Sequence, residues 1–144
     1  MATGTHGVEI KTIVNGAVVL VGRLLFVLIF LKFGPNNFAK QTIAFAASQG
    51  VPFASLVVPL SGVLALAGGL SILLGFRAKI GASLIVLFLI PVTLMMHKFW
   101  TVHDAGMAQL QMILFMKNFA ILGGALMISQ LGAGPMSFDA RRSR

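Results

Sequence analysis

The stretch FASLVVPLSGVLALAGGLSILLGF, residues 53–76, decides the fold: it runs for 24 residues without a charge. At a rise of 1.5 Å per residue, about 20 helical residues cross a hydrocarbon core of ~30 Å. The stretch shows no strict alternation of apolar and polar residues, so it does not read as a barrel strand. It reads as a membrane-spanning helix.

Similar runs lie on both sides of it. Downstream, Arg77-Ala78-Lys79 forms a very short link to residues 80–96, which are uncharged and extend to Trp100. Residues 111–132 contain one charge, Lys117, and upstream residues 13–31 are broken only by Arg23. The apolar run at 13–31 is too long for a signal peptide, and Phe33-Gly34-Pro35-Asn36 offers no cleavage site. Between the first two runs, residues 35–52 predict a short helix lying at the membrane interface. Asn36 or Asn37 caps it, Phe38, Thr42 and Phe45 share a face, and Gly50 with Pro52 ends it. The chain is therefore expected to be all-α. It reads as an integral membrane bundle of four transmembrane helices at about 12–34, 53–76, 80–100 and 105–132, with a short interfacial helix between helices one and two. A polar, loosely held N-terminal tail (1–11) and a C-terminal tail (133–144) flank the domain at 12–132. Asp104 is the expected N-cap of the last helix.

Composition excludes much else. Across 144 residues, 58% are hydrophobic and 10% charged, with 16 Gly besides, and the mean hydropathy is +0.97. Soluble domains are roughly a quarter charged, so a soluble monomer is excluded. Disorder is excluded by the aliphatic content. There is no Cys, which removes disulfides and thiol-ligated metals. With three acids and three His, and no ligand-like spacing of His6 and His103 to His97, no metal site is expected. The net charge of +8 is spread along the chain rather than gathered on a basic face, so nucleic acid is not an expected partner. The lipid bilayer is. The eight Met residues read as gap-fillers in apolar helices.

Loop cations set the orientation. Lys11, Arg77, Lys79, Arg141, Arg142 and Arg144 fall on one side, and Lys32, Lys40 and Lys98 on the other. The excess places both termini in the cytoplasm. Ser61, Ala65 and Gly69 in the second helix, and Ala120 and Gly124 in the fourth, recur at spacings of four. Small residues so spaced predict close helix contacts in lipid. Pro59 and Pro91 are expected to kink helices two and three.

Arg23 and Lys117 lie within spans that contain no Asp or Glu. An intramembrane cation costs several kcal/mol, about 2.5–3.5 on insertion scales, unless something solvates it. Carbonyls and snorkelling are one answer; a bound ligand is the other. By helical rise, Arg23 is about 12 Å from the outer end of helix one, and Lys117 about 9 Å below Gln111. His97 closes helix three, Trp100 is an aromatic anchor, and Gln111 and Asn118 share a helix face. Arg23, His97, Trp100, Gln111, Lys117 and Asn118 are therefore the ligand-binding candidates, lining one polar pocket in the outer half of the bilayer. A quinone headgroup or a small oxyanion would suit such a pocket. His97, Lys98 and Trp100 also read simply as interfacial residues.

Several ordered pieces carry a resemblance. They are Gly22-Arg23-Leu24-Leu25, Gly50-Val51-Pro52, Gly68-Gly69-Leu70 with Leu73-Leu74-Gly75, His97-Lys98-Phe99-Trp100, Lys117-Asn118-Phe119-Ala120 with Gly123-Gly124, and Gly132-Ala133-Gly134-Pro135 running to Ser137-Phe138-Asp139. The set, from about Gly22 to Asp139, resembles the DoxX family of small four-helix prokaryotic membrane proteins. Leu31-Lys32-Phe33-Gly34-Pro35 departs from that family's usual Gly-x-x-Lys turn. Ala65-Leu66-Ala67 stands where members often carry a Glu. The resemblance implies a protein of the prokaryotic cytoplasmic (inner) membrane in a redox context, without a covalent cofactor. It would be an accessory subunit that packs against other membrane subunits. The alternative is a quinone- or small-anion-binding component similar to thiosulfate:quinone oxidoreductase.

Overall fold

The computed structural model describes residues 3–142, with side chains over 13–142. Six α-helices follow one another: α1 (Thr3–Phe33), α2 (Lys40–Ser48), α3 (Ala54–Leu74), α4 (Ala78–Met96), α5 (Ala105–Leu131) and α6 (Phe138–Arg142). Short 3-10 turns occupy Gly34–Phe38 and Phe99–Thr101. Among the described residues there is no strand. Four segments are long and apolar enough to cross a membrane: Ile13–Phe38, Ala54–Leu74, Ala78–Thr101 and Ala105–Leu131. The protein is a multi-pass helical membrane protein.

Local chemistry sets the boundaries. Gly75, at φ +64, ends α3 in a left-handed turn. There Gly75 N–H donates to Ile72 O and Phe76 N–H to Ser71 O, which satisfies carbonyls the helix end would leave bare. Asp104 caps α5, its Oδ1 accepting from Met107 N–H at 2.8 Å. Pro59 and Pro91 sit inside α3 and α4.

The interior mixes small residues with a few large ones, and many large apolar residues lie on the outside. Ala65, Ala82 and Ala125 are buried at 1%, 0% and 0%, whereas Leu25 and Leu56 are 64% and 69% exposed. This is the pattern of a chain whose solvent is lipid, where close backbone approach rather than the expulsion of water holds helices together. Val27, Phe30, Ala65, Ile72, Ala82, Ile85, Leu89 and Ala125 form the shared core of the four long helices. A smaller cluster of Ala46, Ala54 and Val58 holds α2 on the start of α3.

The face of α3 bearing Ser61, Ala65 and Gly69 looks toward α1 and its 3-10 turn. Ser61 accepts from Asn37, and a Cβ on Gly69 would meet Phe30 at 3.3 Å. Gly62 has to lack a side chain, since a Cβ there would lie 2.9 Å from Asn37. On α5, Gly124 faces Phe26 of α1, but Ala120 is exposed. The inward face of α5 runs through Asn118 and Ala125 instead.

Two local expectations are corrected. The N-terminal tail is helical from Thr3, as the first turns of α1; Met1 and Ala2 lie outside the described residues. The helix between spans one and two breaks into a 3-10 turn and α2, and neither Asn36 nor Asn37 caps it. Its N-cap is Ala39, with no side-chain bond, because the Asn37 amide is drawn to Ser61. In the C-terminal tail, α6 folds back against the turn between α3 and α4, with Asp139 N–H donating to Gly75 O at 2.8 Å.

Candidate functional site

A cavity of about 300 Å³ opens between α1, α4 and α5, at the end of the helices where α4 passes to α5. Phe30 and Phe33 of α1 and Phe88, Leu89 and Val92 of α4 make its apolar walls. Gly34 and Ala65 lie at its base, where a Cβ on Gly34 would meet Leu66 at 2.9 Å. Four polar residues line it: Asn37, His97, Lys117 and Asn118.

Each is placed by its element. Asn37 stands in the 3-10 turn after α1 and donates from Nδ2 to Ser61 Oγ at 3.0 Å. Ser61 Oγ in turn donates to Val58 O at 2.6 Å. His97 is the first residue beyond α4, and its Nδ1 lies 2.8 Å from Gln111 Oε1. With that oxygen as acceptor, Nδ1 is the donor. Lys98 Nζ donates to Gln49 O at 2.8 Å, clipping the end of α2 to the α4–α5 link. Asn118 is only 6% exposed as a residue; it lines the cavity, its amide makes no hydrogen bond with any described residue, and its amide atoms are not sealed off. Lys117, beside it, adds a positive charge. No carboxylate lines the cavity.

The sequence candidates divide into two groups. His97, Lys117 and Asn118 share the cavity, with Gln111 behind them as the partner of His97. Trp100 does not line it. It is 55% exposed and stands edge-on to Phe99 and Phe115, with centroids at 5.1 and 5.9 Å. Arg23 is not there at all. It is 4% exposed and lies at the opposite end of the helices, where its Nη2 donates to Met136 O at 2.7 Å. Antiparallel packing explains this. Gly34 of the chain after α1 meets Leu66 of α3, Phe30 meets Gly69, and Arg23 meets Gly75. Counting from the apolar run put Arg23 in mid-membrane, but its neighbours put it level with the α3–α4 turn. The single pocket expected for both cations is therefore two separate places.

The residues that the sequence reading missed are Asn37, read as a cap, and the surroundings of Arg23. Asp139 Oδ1 and Oδ2 accept from Arg77 and Ala78 N–H at 2.8 and 2.9 Å, capping α4 from the far end of the chain. The signal was a lone acid in a basic tail, in a chain with few acids and an α4 that lacks its own cap. Among the described residues, no group of three or more His, Cys, Asp or Glu could hold a metal ion; the His6 side chain lies outside them.

The SURF4 family model matches residues 7–144. The chain is 30% identical to inner membrane protein YphA of Escherichia coli over 124 residues, 85% of this chain and 88% of that one. It is also 30% identical to E. coli inner membrane protein YqjF, across 84% and 88% of the two chains. The Surfeit locus protein 4 homolog of Schizosaccharomyces pombe is 27% identical over 85% of this chain and 37% of its own. No solved structure matches. These findings overturn the DoxX resemblance. Several of its motifs were short runs of Gly and apolar residues, of the kind that close helix packing in lipid demands of many small membrane proteins. The redox accessory subunit and the likeness to thiosulfate:quinone oxidoreductase rested on that resemblance and are withdrawn with it; the quinone ligand, read from the polar residues as well, has no support in the family shown and is withdrawn too.

Proposed function

The chain belongs to the SURF4 family, and on that footing we propose that it is an inner-membrane protein that binds an amphiphile from the lipid phase by its polar head. The four long helices form the transmembrane bundle, with both termini in the cytoplasm by the excess of loop cations on that side. The relatives named as inner membrane proteins support that location. The cavity between α1, α4 and α5 then opens toward the outer leaflet.

The observation that carries this reading is Asn118. Its amide makes no hydrogen bond with any described residue and is set in the wall of a cavity that also holds Lys117, His97 and Asn37. A head with acceptor oxygens would satisfy the amide and the ammonium together. The phenylalanine-rich wall suits an apolar body. Dodecanoate, dodecyl phosphate and dodecanol, added to the detergent-purified protein, test it by thermal shift. The two anions should raise Tm and the alcohol should not, and Asn118→Leu and Lys117→Met should each abolish the rise. Equal stabilisation by dodecanol, or an undiminished rise in Asn118→Leu, contradicts the reading.

A further inference from the structure

A second chamber of about 280 Å³ lies under α2, between α3 and the end of α4. It shares Asn37, Phe88, Val92 and His97 with the polar cavity, so the two meet along a common wall. The remaining lining is nearly all apolar, with Val57 and Val58 from α3, Pro91, Met95 and Met96 from α4, and Ala46 from α2. Two hydroxyls also reach it, Thr42 of α2 and Ser61 of α3, and that of Ser61 is occupied by Val58 O and Asn37. Polar groups thus lie on one side of the shared wall and an apolar chamber on the other. That is the polarity of a molecule with one charged head and one aliphatic tail.

We propose that the ligand of this site is a single-chain aliphatic carboxylate, with its head at Lys117 and Asn118 and its tail in the chamber beneath α2. This rests on the reading of the cavity given above. One cation and no arginine line the polar side, which matches a monoanion better than a phosphate dianion. Size argues for one chain: a protein cavity of about 150 Å³ accommodates benzene, so a chamber nearly twice that holds a chain of roughly ten to twelve carbons. Met95 and Met96, unbranched and adaptable, suit a flexible tail. Lys98, bonded to Gln49 O, fastens α2 as the roof.

The test is photolabelling of the full chain with a dodecanoate carrying a terminal diazirine, followed by mapping of the adducts. They should fall on the chamber's lining, chiefly Met95, Met96 and Val57. Excess unlabelled dodecanoate should reduce them at least fivefold, and they should drop to a similar extent in Lys117→Met. In Val57→Phe, which fills part of the chamber, they should move out of it. Adducts on lipid-facing residues such as Leu25 and Leu28, or adducts that unlabelled dodecanoate does not compete, overturn the proposal. If those adducts appear while anionic heads still raise Tm through Asn118, the carboxylate inference alone is lost. If Asn118→Leu leaves every shift intact, the cavity reading is lost as well.

Discussion

Arg23 and Met136 lie 113 positions apart and are joined by one hydrogen bond, 2.7 Å from Nη2 to the main-chain oxygen. That bond fastens the C-terminal strap to α1. Met136 sits at φ +57, its side chain lies against Gly16, and Gly134 beside it faces Val19. The guanidinium is poorly matched to its surroundings. Its Nε and Nη1 are buried and have no hydrogen-bond partner among the described residues.

This mismatch sets the sign of Arg23→Met. The substitution loses a charged hydrogen bond, which is worth about 1.5–3 kcal/mol. It also removes two buried unpaired donors and a buried charge with no acid beside it, a comparable gain. Tm should therefore stay within about 2–4 °C of the parent, a change of about 1 kcal/mol. The strap itself should loosen, and hydrogen exchange at the Asp139 amide should speed about tenfold for each 1.4 kcal/mol of local stability lost. Thermal shift by anionic amphiphiles at the other end should be unchanged.

Asp139→Ala removes the side chain that caps α4 across the strap. Loss of an N-cap costs about 0.5–2 kcal/mol, so Tm should fall by roughly 2–6 °C. Combined with Arg23→Met, the loss should be less than additive, because both act on one strap. Thermal melts of the two single variants and the double variant check this.

Gly75 is the point where α3, Arg23 and the strap converge. A Cβ there would overlap Ser137 and the Arg23 guanidinium, and φ is +64. Gly75→Ala should cost about 2 kcal/mol or more. Gly123→Ala, with nothing within 4 Å of the added methyl, should be neutral or gain up to about 1 kcal/mol through helix propensity. Melting the two variants side by side separates the crowded site from the open one.

Reporter fusions at Arg144 and within residues 101–103 check the topology. The cation excess predicts a cytoplasmic C-terminus and an external α4–α5 link.

The four spans were legible because lipid demands long uncharged helices, and residues 53–76 can serve as little else. Asp104 was legible as a cap because capping is local. Arg23 was misplaced because depth along a helix depends on its neighbours, and the antiparallel register of α1 on α3 cannot be read from either run alone. Lys117, Asn118 and His97 came out together because α4 and α5 are consecutive spans and His97 pairs with Gln111, about two turns from Asn118 along α5. Asn37 was missed because its partner, Ser61, lies 24 positions away. Ala120 was misassigned because spacing alone does not choose between the small-residue faces of α5.

Asn118→Leu, measured for stability and ligand response in one experiment, tests the central claim most directly. Leucine keeps the branched outline of asparagine but is larger and cannot hydrogen-bond; the cavity beside it gives the extra methyls room, so the variant should melt within about 1–3 kcal/mol of the parent. Its response to dodecanoate should vanish, where the parent at 100 times Kd gains about 2.7 kcal/mol. That pairing, stability kept and binding lost, is what a residue held unpaired for a ligand predicts. A variant that loses stability but still answers to dodecanoate would show that Asn118 supports the fold and that the cavity is not a binding site.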